Sequence, residues 1–216
     1  MKQKFALLLI GCFLLGAHHL PAQTAETKFL HHINSLDGRA FTRYNQFISD
    51  SEWYILIGVP LGMGLYDLIK KDRAHLNNTL TLTASLVGVY GLQTLMKEVI
   101  QRPRPSVKNP GYIIDRAGES GYSFPSNHTG GAFALATSLT LQHPKWYVGV
   151  PVYLWATAVG FSRMQLGVHY PTDVLTGAVL GSATAWGCHA LQQHIIQKRK
   201  RKVSRQAQLV LQAYHP

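Results

Sequence analysis

The sequence predicts an all-α, membrane-embedded helical bundle of about five transmembrane helices, and three observations predict it. Only 14% of the 216 residues are charged, against roughly 25% in ordinary soluble proteins. Five apolar segments, at about 53–69, 80–96, 129–142, 146–162 and 174–191, follow one another with no long linker between them. The densest basic clusters fall at alternate ends of those segments, as a multi-pass topology requires.

The chain opens with Lys2 and Lys4 and an apolar run from Phe5 to Ala17. That run is short for a span, so residues 1–23 read as a signal peptide or an N-terminal anchor. Residues 24–52 are mixed and polar, with Phe29, Phe41, Tyr44 and Phe47 at spacings that fit an amphipathic interfacial helix. Residues 53–192 form the bundle. Most of its segments, at about 17 residues, are short for a ~30 Å hydrocarbon core, but they are rich in Gly, Ala and Thr, which favour close helix packing. Trp53, Tyr54, Trp146 and Tyr147 open segments, as interfacial aromatics do.

The formal charge is +11, and Lys198, Arg199, Lys200, Arg201, Lys202 and Arg205 carry six of the positive charges. This basic tail, residues 193–216, follows directly on an apolar segment, so it reads as a cytoplasmic anchor and not as a nucleic-acid site. Lys70, Lys71 and Arg73 then fall on the same side, and the loops 97–128 and 163–173 on the opposite, exported side. The two cysteines, Cys12 and Cys188, lie in separate apolar stretches, so neither a structural disulfide nor a thiolate metal site is expected.

Both exported loops carry chemistry. In Ser162-Arg163-Met164-Gln165-Leu166-Gly167-Val168-His169-Tyr170-Pro171-Thr172-Asp173, Pro171 suits the first turn of a helix, where its missing N–H is not needed. Asp173 then stands in that turn, able to reach one ring nitrogen of His169 and leave the other free to attack. Arg163 can bind an anion held over the imidazole. The alternative for the stretch is a polar loop with no chemistry. Upstream, Lys97 and Arg104 place two cations near the water boundary; singly, each also fits an interface anchor. Ser123-Phe124-Pro125-Ser126-Asn127-His128-Thr129-Gly130-Gly131 opens the third segment, with Pro125 expected in the first helical turn and backbone N–H groups directed at an anion. Ser126 can add a hydroxyl or simply cap the helix, and His128 can protonate a leaving oxygen.

Lys-x6-Arg-Pro, Pro-Ser-x-His and Ser-Arg-x5-His-x3-Asp fix ten residues in order. At ~5% usage per residue, chance supplies such a set on the order of once in a million sequences or fewer. The set resembles the type 2 phosphatidic acid phosphatase superfamily, over about residues 53–191. The resemblance implies that Lys97, Arg104 and Arg163 bind phosphate oxygens, with Ser126 and the backbone at Asn127 completing the cradle. It implies His169 as nucleophile through a phosphohistidine, Asp173 as its orienting partner and His128 as acid, then base. Asn127 departs from the glycine of many relatives. No metal or other cofactor is expected, and no carboxylate cluster for magnesium stands in the sequence.

The resulting expectation is a phosphatase acting on a membrane lipid phosphate or diphosphate, multi-pass in the bacterial inner membrane with its site facing the periplasm. Asn127-His128-Thr129 is formally a glycosylation acceptor inside that site, which favours a bacterial envelope. Tyr112, Arg116 and Glu119 stand where a headgroup can be met. The alternative is a soluble periplasmic class A-type acid phosphatase, compatible with a mean hydropathy of about zero.

Overall fold

A computed structural model describes residues 20–214, and these contain helices and loops but no strand. The elements are α1 (Leu20–Asn34), α2 (Arg39–Lys70), α3 (Arg73–Ile100), the single turn α4 (Pro105–Lys108), α5 (Asn127–Gln142), α6 (Trp146–Gln165) and α7 (Pro171–Tyr214). The leader expected at residues 1–23 lies outside the described residues, apart from the start of α1.

Two expected boundaries differ from the helices found. Residues 24–52 do not form one interfacial piece: the chain turns after Asn34, and α2 then runs unbroken from Arg39 across position 53 to Lys70. The reason is a polar stripe. Asn45, Ser49 and Glu52 recur at helical spacing, and all three are buried in the bundle. Their polarity therefore faces inward, where a reading by hydropathy places it in water. Likewise α7 continues past residue 193 through the basic tail.

The bundle is apolar outside and more polar within. Leu61, Leu65, Leu68, Ile69, Val87, Leu95, Val99, Leu154, Val179 and Trp186 are exposed, while Glu52, Ser85, Gln93, Ser138, Ser162 and Arg163 are buried. Water would not tolerate so continuous an apolar exterior; hydrocarbon does, because helices satisfy their own backbone groups. Two helical stretches, His75–Lys108 and Pro171–Gln206, are long and apolar enough to cross a membrane among the described residues.

α5 lies at the centre, against α3, α6 and α7. Its approach to α7 is set by glycine: a Cβ at Gly181 would lie 2.1 Å from the Gly130 carbonyl oxygen. Small residues thus let two helix backbones nearly touch, and this brings the start of α5 beside the start of α7. A backbone bond from Ser126 N–H to Asp173 O, 3.1 Å, joins the two motifs.

The opposite end is closed by polar contacts between helices. Gln142 and Gln192 donate to the carbonyl and side-chain oxygens of Asn78, each at 2.9 Å, and Thr79 Oγ1 donates to buried Asp67 at 2.6 Å. Lys70, Lys71 and Arg73 flank the α2–α3 turn at this end.

Candidate active site

The site forms where four helices end: α3 and α6 run out into it, and α5 and α7 start from it. α7 begins at Pro171, with Tyr170 as the residue before the first turn. Asp173, third in the helix, accepts the Tyr170 N–H through Oδ2 at 2.9 Å, which is half of a capping box. The same oxygen lies 3.5 Å from His169 Nδ1. That exceeds a good hydrogen-bond length, and the two groups face each other across the gap. His169 Nε2 lies 3.5 Å from an Arg104 guanidinium nitrogen. The two ring nitrogens are therefore distinguished: one faces a buried carboxylate, the other a cation. Burial, then Arg163, Arg104 and Lys97, hold the imidazole well below its ordinary pKa, so it is neutral in this state.

Arg104 also donates to Val168 O at 3.0 Å and to Ser120 O at 3.0 Å. Arg163, 2% exposed at the end of α6, donates to Ser49 of α2. Both arginines converge on one carboxylate. Glu119 binds Arg104 through Oε2 at 2.9 Å and Arg163 through Oε1. Burial alone would raise the Glu119 pKa, but Arg163, His128 and Arg104 outweigh it and hold the carboxyl at about 2. An anion thus already sits between two of the expected phosphate ligands.

The remaining expected residues ring this point. Lys97, in the last turn of α3, donates to Tyr122 O at 2.8 Å and Ser123 O at 3.3 Å. Ser126 is the N-cap of α5; its hydroxyl accepts from Thr129 N–H and pairs with Thr129 Oγ1 at 3.0 Å. The hydroxyl therefore caps the helix. Pro125 precedes that cap and is not in the first turn, because the serine side chain, not the proline, starts the helix. Asn127 is the first helical residue, and its side-chain Oδ1 is buried without a partner. His128 follows, edge-on to Trp53. All eight candidates, Lys97, Arg104, Ser126, Asn127, His128, Arg163, His169 and Asp173, lie on this one end of the bundle. Among the described residues no group of three His, Cys, Asp or Glu is placed to hold a metal.

Of the three outer-loop residues expected to meet a headgroup, two are engaged elsewhere. Arg116 donates to Asn34 O at 2.8 Å, fastening the loop to α1. Tyr112 stacks on His31 at 3.9 Å between ring centroids. The third, Glu119, lies in the cradle itself. Sequence reasoning missed the supports altogether: Ser49 behind Arg163, and Arg102 and Glu26 behind Asp173. Ser49 stands 114 residues from Arg163 and Glu26 stands 146 from Thr172, so no local pattern joins them. Arg102 alone had a signal, as the first arginine of Arg102-Pro103-Arg104-Pro105.

Fold and site together define a helical membrane protein that gathers cations around a histidine–aspartate pair. The chain belongs to the PAP2 superfamily, whose family model matches residues 78–197. It is 33% identical over 140 residues to the lipid A 4'-phosphatase of Bacteroides thetaiotaomicron, a match covering 61% of this chain and 62% of that one. It is 36% identical over 102 residues to the undecaprenyl-diphosphatase BcrC of Bacillus subtilis, covering 46% and 51%. The chain thus spans about half to three-fifths of the length of these relatives. A crystal structure of a transmembrane PAP2-type phosphatidylglycerolphosphate phosphatase from Bacillus subtilis shares the fold, with a TM-score of 0.71 at 24% identity over 90% of this chain and 98% of that one.

Proposed function

We propose that this protein hydrolyses the phosphate or diphosphate of a membrane lipid without a metal, through a phosphohistidine on His169. The observation that carries the reading is the split environment of His169: Asp173 at Nδ1 and the Arg104 end of the cradle at Nε2. The substrate phosphoryl group displaces the Glu119 carboxylate and binds Lys97, Arg104 and Arg163, with Ser126 and the Asn127 N–H at the start of α5 completing the cradle. Fixed cations then stabilise the charge on the transferring group, which is where most of the catalysis arises. Nε2 attacks phosphorus while Asp173 holds Nδ1–H; that contact shortens from its resting length on binding, as catalytic hydrogen bonds do. His128 takes up a proton as the anionic phosphate enters the cradle and gives it to the leaving alkoxide or phosphate. Water, deprotonated by His128, then attacks the phosphohistidine and frees inorganic phosphate and His169.

Five of the helices, α2, α3, α5, α6 and α7, cross the membrane in this reading. The basic residues 70–73 and 198–205 gather away from the catalytic end, which supports a cytoplasmic position for them and a periplasmic one for the site. A site at the water boundary receives a headgroup while its acyl or prenyl tails stay in lipid. The named relatives act on lipid A and undecaprenyl diphosphate, and lipids of that kind are the proposed substrates.

The test is phosphate release by the detergent-purified protein in EDTA, from undecaprenyl diphosphate, phosphatidate, phosphatidylglycerophosphate, lipid A and p-nitrophenyl phosphate. Turnover of a lipid, abolished by His169→Ala, is expected. Turnover of p-nitrophenyl phosphate alone would replace the lipid reading with a general acid phosphatase.

A further inference from the structure

Asp173 is fully buried, and a buried carboxylate needs a charge partner as well as hydrogen bonds. Arg102 supplies one: its Nη1 lies 2.5 Å from Asp173 Oδ1 and 2.7 Å from Thr172 Oγ1. Its Nη2 lies 2.7 Å from Glu26 Oε2, and the guanidinium lies 3.8 Å over the Tyr170 ring. One side chain therefore touches three of the four residues that follow His169. The other Glu26 oxygen accepts the Thr172 N–H at 2.9 Å. That N–H is one of the donors that a helix start leaves without a partner, so Glu26 both caps α7 and holds Arg102. Glu26 lies in α1, outside the residues matched by the family model.

We propose that Arg102, clamped by Glu26, is a positioning residue for the nucleophile: it fixes the first turn of α7 and so the Asp173 carboxylate that orients His169. The proposal rests on the phosphohistidine reading above. Arg102 acts away from the anion. Its contacts are Asp173, Thr172, Tyr170 and Glu26, whereas Arg104 and Arg163 hold Glu119. Its loss therefore slows chemistry and leaves anion binding intact. The planar fork divides between two carboxylates while stacking on a ring, which a lysine ammonium cannot reproduce.

Steady-state kinetics with p-nitrophenyl phosphate and with phosphatidate in micelles, together with inhibition by inorganic phosphate, test this in Arg102→Ala, Arg102→Lys, Glu26→Gln and the Arg102→Ala/Asp173→Asn double variant. Arg102→Ala should lower kcat about 100-fold, with KM and the phosphate inhibition constant within about twofold of wild type. Arg102→Lys should recover less than a tenth of the lost rate, and Glu26→Gln should lower kcat about three- to tenfold, since Gln keeps the cap on Thr172 but loses the charge. The double variant should be no slower than Asp173→Asn alone, because both changes remove one orienting unit. Multiplied losses in the double variant, or weakened phosphate inhibition in Arg102→Ala, would overturn the proposal. So would wild-type kcat in Arg102→Ala. Unlike any of these, turnover retained by His169→Ala would overturn the phosphohistidine reading itself. Should Arg102→Ala fail to fold, Glu26→Gln carries the same comparison.

Discussion

The carboxylate of Glu119 is paired with the guanidinium of Arg163, and its second oxygen is 2.9 Å from Arg104. Glu119 thereby presents to two cradle arginines the oxygen pair that a phosphate would present. Any anion that binds there must first displace it. Removing the charge should help an anion bind and harm the resting fold.

Glu119→Gln is therefore expected to tighten inhibition by inorganic phosphate about tenfold, measured as an inhibition constant between pH 5 and 8. The sign with pH follows from its carboxyl, held at about 2 against an ordinary 4.5. A depressed carboxyl stabilises the fold fully above about 4.5 and loses that effect as pH falls towards 2. Wild type should thus melt above the variant by a constant margin from pH 8 to 5, the two converging below 4.5. A margin that grows on acidification would exclude Glu119 as the ionised bridge.

His169 and Asp173 should fail differently. Asp173→Asn keeps the Tyr170 N–H acceptor and loses only orientation and charge, whereas His169→Ala removes the attacking atom. Turnover in Asp173→Asn should stay measurable, some 10²–10³-fold below wild type, while His169→Ala falls to background. An acid-labile phosphoenzyme, trapped by rapid quench, should form slowly in the first variant and not at all in the second. Equal residual rates in both, well above background, would contradict a nucleophilic role for His169.

The helix contact that joins the motifs also gives a prediction with an internal control. A Cβ at Gly181 meets the Gly130 carbonyl at 2.1 Å, while at Gly187, in the same helix, nothing lies within 4 Å. Gly181→Ala must push α5 from α7 and strain the Ser126–Asp173 backbone bond, so both melting temperature and kcat should fall. Gly187→Ala should leave kcat unchanged and stabilise slightly, by up to the ~1 kcal/mol helix preference of alanine over glycine. Thermal unfolding in one detergent compares the two directly.

That the motif residues gather in one place was legible in the sequence because they stand at short spacings: Arg163, His169 and Asp173 lie within eleven residues, around one helix start. Pro171 gave the start of α7, since a first turn makes no use of the N–H that proline lacks. Pro125 misled by the same rule, because Ser126 caps α5 and the proline sits before the cap. The stripe Asn45, Ser49 and Glu52 was not legible as interior. Hydropathy places polar residues in water, and here Ser49 is bound to a buried arginine. Contacts such as Glu26 with Thr172 depend on how α1 crosses the loops, which no local pattern encodes.

α1 itself provides the last prediction. Asn34, 2% exposed, donates to Ile114 O at 3.0 Å and to Gln165 O at 2.9 Å, and accepts the Ile114 N–H at 2.9 Å. It therefore ties the outer loop to the end of α6, beside Gly167, whose φ of 77° and crowding against Ile114 O admit no side chain. Asn34→Ala leaves the Ile114 N–H and carbonyl short of a partner, at about 1–3 kcal/mol for each that water does not reach, while Gln165 O keeps the Arg116 guanidinium at 3.4 Å. Asn34→Asp should be worse. It keeps the acceptor for the Ile114 N–H but turns a carboxylate oxygen towards the Ile114 and Gln165 carbonyls, to which the amide donates. The measurement is limited proteolysis of the loop between residues 109 and 122, with melting temperature in parallel. Cleavage should rise from wild type to Ala to Asp, and KM should rise with it as the loop bearing Glu119 and Ser120 loosens over Arg104. An Asp variant as resistant as wild type would mean that α1 rests on the loop without holding it.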